Sequence, residues 1–144
     1  MTRLLLDASV LLSAAVARPG TPTALLLDAV EDGTVEMVAC GRLIGEVRRG
    51  LKSAYFRERL PAEERAVVLT GLERIALMRP DPASPPAVLR DPNDDYLVAL
   101  AIDADAEAIV TGDRDLLDHH GLEPEAITPR DACRRVGLPL DEGT

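Results

Sequence analysis

The sequence predicts an α/β fold in three layers, with a central, mostly parallel sheet of four to five strands covered by helices on both faces. Three observations predict it. Short apolar runs at Leu4–Leu6, Val35–Ala39 and Ala108–Thr111 alternate with longer helical stretches, and strands joined through helices pair in parallel. The first of these runs is apolar throughout instead of alternating with polar residues, which is the pattern of a strand buried on both faces. From Leu97 to Ala104 nearly every side chain is apolar, so that helix too is buried most of the way round.

Composition narrows the function classes. At 144 residues the chain suffices for one domain with a core that needs no staples, expected over 1–137 with 138–144 as a C-terminal tail. It is 47% hydrophobic but only 2% aromatic, so the core is built of Leu, Val, Ile and Ala, and base-stacking platforms are not its main means of binding. Cys40 and Cys133 are too few for a disulfide scaffold or a zinc site, and they fit a reduced, cytoplasmic setting as small buried residues. No apolar run approaches the roughly 20 residues that span a bilayer, and Asp7 interrupts the N-terminal run too early for a signal peptide. A net charge of −9 excludes a broad nucleic-acid-coating surface, though not a local basic patch beside an acidic site.

In chain order, the first strand, Leu4–Leu6, ends at Asp7, and Ala8–Val16 reads as a helix. Asp7 therefore stands at a strand's end and a helix's start, open to two readings, N-cap or ligand. Arg18–Thr21 is a turn. Thr21 with Pro22 starts a second helix, which Gly33 closes. After the strand Val35–Ala39, a third helix is expected from Gly41 to about Phe56. Its stripe is Leu43, Ile44, Val47 and Leu51, with Glu46 on the flank. Glu46 is the only acid between Met37 and Arg57, in the company of Arg42, Arg48, Arg49, Lys52 and Arg57. Such charges are either a solvated face or a path for phosphates.

Pro61 opens the next helix, with Glu63 and Glu64 in its first turn and Val67, Val68, Leu69, Leu72 and Ile75 as its packing face. Ile75–Met78 leads into a short edge strand, and Arg79–Pro86 reads as an extended connection. Asp94 and Asp95 stand at the N-terminus of the buried helix, where capping accounts for one of them. That helix ends at Ala104-Asp105, with Asp105 taking the left-handed conformation that Gly usually supplies. The strand Ala108–Thr111 runs out into Gly112-Asp113-Arg114-Asp115. His119 and His120 read as exposed loop histidines. Ala126–Thr128 is a last strand, and Thr128 caps a helix with Pro129 and Asp131 in its first turn, ending near Gly137.

Asp7 and Asp113 both follow strands, so in a parallel sheet they emerge at one edge, where Asp95 and Glu46 can join them. Carboxylates that close repel one another and want a divalent cation, and all-oxygen ligation selects magnesium or manganese over zinc. Such a site polarises a phosphate and activates a water for in-line attack.

The stretches Leu6-Asp7-Ala8-Ser9-Val10, Gly45-Glu46-Val47, Arg90-Asp91-Pro92-Asn93-Asp94-Asp95-Tyr96-Leu97-Val98-Ala99-Leu100 and Ile109-Val110-Thr111-Gly112-Asp113-Arg114-Asp115-Leu116, in this order and spacing, resemble the PIN domain. Within it, they look like the VapC-like toxin components of toxin–antitoxin pairs. The resemblance runs from about Arg3 to Val136. It implies a PIN-like α/β/α fold and a magnesium-dependent endoribonuclease, with manganese as the alternative ion. It also implies Asp7, Glu46, Asp95 and Asp113 as catalytic acids; Asp7, Asp95 and Asp113 are the metal ligands, with Asp115 and Asp94 as accessory acids. Where the family usually has Asp-Thr-Asn, this chain has Asp7-Ala8-Ser9, so Ser9 takes over the ordering of the site. Arg42, Arg48, Arg49 and Lys52 are the candidates for RNA phosphate contacts. The implied partners are RNA, a small antitoxin that covers the site, and a second copy in a homodimer. The departure at Ala8-Ser9 leaves open a PIN-like binding module without catalysis. A receiver or phosphatase-like domain fits less well, because no second aspartate follows two residues after Asp7 and the only lysine, Lys52, comes too early.

Overall fold

Strands covered on both faces are mostly apolar, and the five strands among the described residues are short, with the central β1, β2 and β4 buried over most of their length. The computed structural model describes residues 1–83 and 94–140. The strands β1 (Thr2–Leu6), β2 (Val35–Cys40), β3 (Leu77–Arg79), β4 (Ala108–Val110) and β5 (Ala126–Ile127) pair in the order β3-β2-β1-β4-β5, every pair parallel. The helices among the described residues are α1 (Ala8–Val16), α2 (Pro22–Glu31), α3 (Gly41–Leu51), α4 (Ala54–Arg59), α5 (Ala62–Ile75), α6 (Asp95–Asp103), α7 (Arg114–Leu117) and α8 (Pro129–Val136). They form the outer layers of an α/β/α sandwich.

The core runs through the middle of the sheet. Leu4, Leu5, Met37, Val38 and Ile109 are fully buried, each worth roughly 1.5–3 kcal/mol of transfer free energy. The helix α6 is buried nearly all round, whereas α3 docks through one stripe. On α3 that stripe is the expected Leu43, Ile44, Val47 and Leu51, and Gly50 lets α1 approach, since a Cβ there would run into the methyls of Leu12. The last helix packs on α2, with the Cys133 thiol donating to the Pro22 carbonyl at 3.4 Å.

Several boundaries differ from those the sequence predicts. The third helix stops at Leu51, not near Phe56: the buried stripe is exhausted there, and Ser53, in an extended conformation, begins α4 as a separate helix. On α5, Val67 is 69% exposed because it lies on the opposite side from Leu72, while Val68, Leu69 and Ile75 are partly buried. Ile102 is likewise exposed at the end of α6, and the one-turn helix α7 after Asp113 is unforeseen. Gly33 (φ 87°), Asp105 (φ 54°) and Gly137 (φ 81°) take left-handed conformations at the ends of α2, α6 and α8. Of the expected tail, Leu138 and Leu140 pack against the core. The expected connection beyond Ala83, the motif residues Arg90–Asn93 and the segment 141–144 lie outside the described residues. No helix among the described residues is long and apolar enough to cross a membrane.

Candidate active site

Because β1 and β4 are neighbours and parallel, whatever follows them leaves the sheet at the same edge. The register Leu6 opposite Val110 continues into a hydrogen bond from the Asp7 amide to the Val110 carbonyl at 3.0 Å. Asp7 is only 6% exposed. Its Oδ1 accepts from the Val10 amide at 3.0 Å, which makes it the N-cap of α1, and from the Ser9 hydroxyl at 2.6 Å. Its Oδ2 accepts from the hydroxyl of Thr111, a fully buried side chain one residue past β4. That same hydroxyl oxygen accepts from the Asp113 amide at 2.9 Å, and Asp113 Oδ1 accepts from the Asp115 amide at 2.9 Å to cap α7. Asp7, Thr111 and Asp113 thus form one continuous chain of hydrogen bonds. Of the two readings open to Asp7, the N-cap is what the hydrogen bond from the Val10 amide shows.

The other acids reach this edge by a different route. Arg3 donates to the Ala104 carbonyl at 2.6 Å and so pins the end of α6 to the start of β1. The nine residues of α6 rise about 13 Å in the other direction. Asp95, 3% exposed, therefore stands at the C-terminal edge of the strands. Asp94 occupies the N-cap position but makes no side-chain capping bond, so capping does not account for it. Beside Asp95, the fully buried Tyr96 carries the Arg42 guanidinium over its ring, 4.2 Å from the centroid. Arg42 belongs to the first turn of α3, directly after β2, and Glu46 follows four residues on, along the same face.

Burial pushes the Tyr96 phenol well above its ordinary range, and the nearby Glu46 carboxylate pushes it further. The two groups are close, but among the described residues the Tyr96 hydroxyl makes no hydrogen bond of ordinary geometry. Behind them the Cys40 thiol is raised to about 11, chiefly by burial, while Asp81 is lowered by the hydrogen bond that it accepts from the Arg42 amide at 3.0 Å.

Asp7, Asp95 and Asp113 therefore lie toward the strand-end side of the sheet, and Glu46 stands in the second turn of α3, the helix that begins directly after β2. They do not form a closed ligand set: among the described residues no group of three or more His, Cys, Asp or Glu side chains is arranged to hold a metal ion. The donor chemistry nonetheless fits a hard cation. Every candidate ligand is a carboxylate, and the buried Asp7 carries no ion pair among the described residues. Of the expected cations, Arg42 stacks on Tyr96, Arg48 lies 3.8 Å from Glu73, and Arg49 and Lys52 are exposed on and just past α3. His119 is half-buried and His120 exposed. Sequence reasoning passed over Thr111 and Tyr96. A hydroxyl one residue past an apolar strand, and a phenol inside an otherwise aliphatic helix, were the signals for them.

A family model described as PIN domain matches residues 3–115. Among solved structures, PAE2754 from Pyrobaculum aerophilum is similar to this chain with a TM-score of 0.65 and 18% identity, over 94% of this chain and 90% of that one. FitAcB from Neisseria gonorrhoeae is similar with a TM-score of 0.57 and 18% identity, over 88% of this chain and 98% of that one. A search of curated proteins found no match.

Proposed function

We propose, from the premise that this chain belongs to the PIN domain family, that it is a magnesium- or manganese-dependent endoribonuclease and the toxin of a type II toxin–antitoxin pair. PIN domains are generally nucleases, so phosphodiester hydrolysis is the coarse reading; the metal, RNA and the antitoxin are the finer one. The observation that carries it is the chain of hydrogen bonds from Asp7 through Thr111 to Asp113, at the edge where the buried Asp95 also stands.

Asp7, Asp95 and Asp113 would hold the ion, with Asp115 and Asp94 as accessory acids. The chemistry supplied by bound magnesium or manganese is polarisation of a phosphate oxygen and a lowered pKa for water. Ser9 and Thr111 hold the Asp7 carboxylate in one orientation, as outer partners of a ligand do. Glu46, on the flank of α3, orients the attacking water. In the reaction water adds to phosphorus, the ester P–O bond breaks and the leaving oxygen takes a proton. Arg48, Arg49 and Lys52 would contact the backbone phosphates of the RNA, and Arg42 would do so from its place above Tyr96. A small antitoxin covering this edge and a homodimer complete the reading, both supported by the likeness to VapC-like toxins.

The test is Asp95→Asn in the purified protein with magnesium present. RNA cleavage should fall by more than about a thousandfold, because Lewis-acid stabilisation is worth several kcal/mol and each 1.36 kcal/mol is tenfold. Cleavage at the wild-type rate would end the proposal. Calorimetric titration with manganese separates the second reading: a PIN-like module without catalysis would take up no ion. Against that second reading, Ser9 keeps a hydrogen bond to Asp7 in spite of the Ala8-Ser9 departure.

A further inference from the structure

A cleft of about 510 Å³ opens between the later part of α1, the starts of α2 and α8, and α4. Ser13, Thr23, Thr128, Arg130 and Tyr55 belong to its polar and aromatic lining, Val16, Ala17, Pro22 and Pro129 make up its apolar part, and among the described residues no carboxylate lines it. In a chain with 25 acidic and 16 basic side chains, a cleft that carries an arginine and no acid is a place where an anionic group meets no repulsion from the lining. Arg130 makes no ion pair among the described residues, and the Ser13 and Thr23 hydroxyls lie 3.4 Å apart.

Tyr55 supplies the flat element. It is 50% exposed, with the Arg59 guanidinium 3.5 Å from its ring centroid and the Phe56 ring edge-on at 5.0 Å. These neighbours hold the ring still while half of it stays open, which is what a stacking platform requires. The cleft also adjoins the strand end that carries Thr111. Since Val110 is in register with Ile127, Thr128 leaves the sheet beside Thr111. Ser13 lies on the helix capped by Asp7, about 9 Å along its axis. A single RNA strand covers that distance in a few nucleotides.

We infer that this cleft is a nucleotide subsite for single-stranded RNA, in which Tyr55 stacks on a base flanking the cleaved phosphate and Arg130 holds a neighbouring phosphate. The hydroxyls of Ser13, Thr23 and Thr128 contact ribose and phosphate oxygens. The choice of RNA rests on the nuclease reading above. A flat ring, a cation without an ion pair and neutral hydroxyls together fit an anionic ligand with planar groups.

The experiment measures binding of a fluorescein-labelled single-stranded RNA decamer to the full chain by anisotropy, with a chelator present so that no cleavage occurs. Tyr55→Leu should weaken binding about tenfold and Tyr55→Phe should leave it unchanged, because stacking needs the ring and not its hydroxyl. Arg130→Gln should weaken binding several-fold and reduce the slope of log affinity against log salt by about 0.7. In cleavage assays Tyr55→Leu should raise KM and leave kcat alone. Wild-type RNA affinity in both Tyr55→Leu and Arg130→Gln overturns the inference, whatever else, a peptide included, fills the cleft. The two readings fail separately. If Asp95→Asn still cleaves while Tyr55→Leu loses affinity, the catalytic assignment falls and the subsite stands; the converse result removes only the subsite.

Discussion

Asp7 and Asp95 stand at the same edge of the sheet and are buried alike, yet the structure around each is built differently. On the β1/β4 side a fully buried threonine hydroxyl joins two strand ends, donating to Asp7 and accepting from the Asp113 amide. On the α3/α6 side the neighbours meet mainly by packing: a guanidinium over a ring, and a buried phenol near Glu46 that makes no hydrogen bond of ordinary geometry among the described residues. Hydrogen bonds fix a carboxylate within tenths of an ångström, because their strength falls steeply with angle and distance. Ring and cation contacts tolerate a sliding fit. One half of the edge is thus set before any ligand arrives, and the other keeps an unspent donor.

The largest expected effect comes from cutting the hydrogen-bonded half. Thr111→Val keeps the volume but strands Asp7 Oδ2 and the Asp113 amide, so unfolding stability should fall by about 1–3 kcal/mol. RNA cleavage should fall roughly 10–100-fold, the usual loss for an outer partner of a metal ligand. Thr111→Ser should restore most of both. A Thr111→Val protein as stable and as active as wild type would show that the two halves do not differ in this way.

The packed half should respond in the opposite direction. Tyr96→Phe removes a buried hydroxyl that makes no ordinary hydrogen bond among the described residues and keeps the ring under Arg42, so stability should hold or rise by about 1 kcal/mol. Chemical unfolding measures it. A loss of more than about 1 kcal/mol would mean that the hydroxyl is bonded in solution and that both halves rest on hydrogen bonds.

The smallest effect is a pH dependence behind the packed half. Burial raises the Cys40 thiol from its ordinary 9.0 to about 11, and raises Tyr96 in the same direction. The folded chain then keeps protons that the unfolded chain releases. The stability these groups contribute is complete below pH 9 and is lost as pH climbs toward about 11. Urea midpoints should therefore fall between about pH 8 and about pH 10.5, and fall less in Cys40→Ala. An identical fall in both proteins would remove Cys40 from this account.

Much of the molecule was legible in the chain itself. Short continuous apolar runs announced a doubly covered parallel sheet, and the pairs Thr21-Pro22 and Thr128-Pro129 marked two helix starts correctly, because capping and proline geometry act within a few residues. The left-handed Asp105 was readable for the same local reason. Strand order, by contrast, depends on partners far apart along the chain. Only the folded molecule made β1 the neighbour of β4 and so brought Thr111 across 104 positions to Asp7. Helix breaks and exposures such as Leu51 and Val67 were decided there as well, since whether an apolar residue is buried depends on what another element brings to its face. The sequence alone determined which residue types could gather at an edge, through alternation and local propensity. The tertiary structure alone decided how they are held there, because hydrogen bonds between distant residues form only once topology has set their separation.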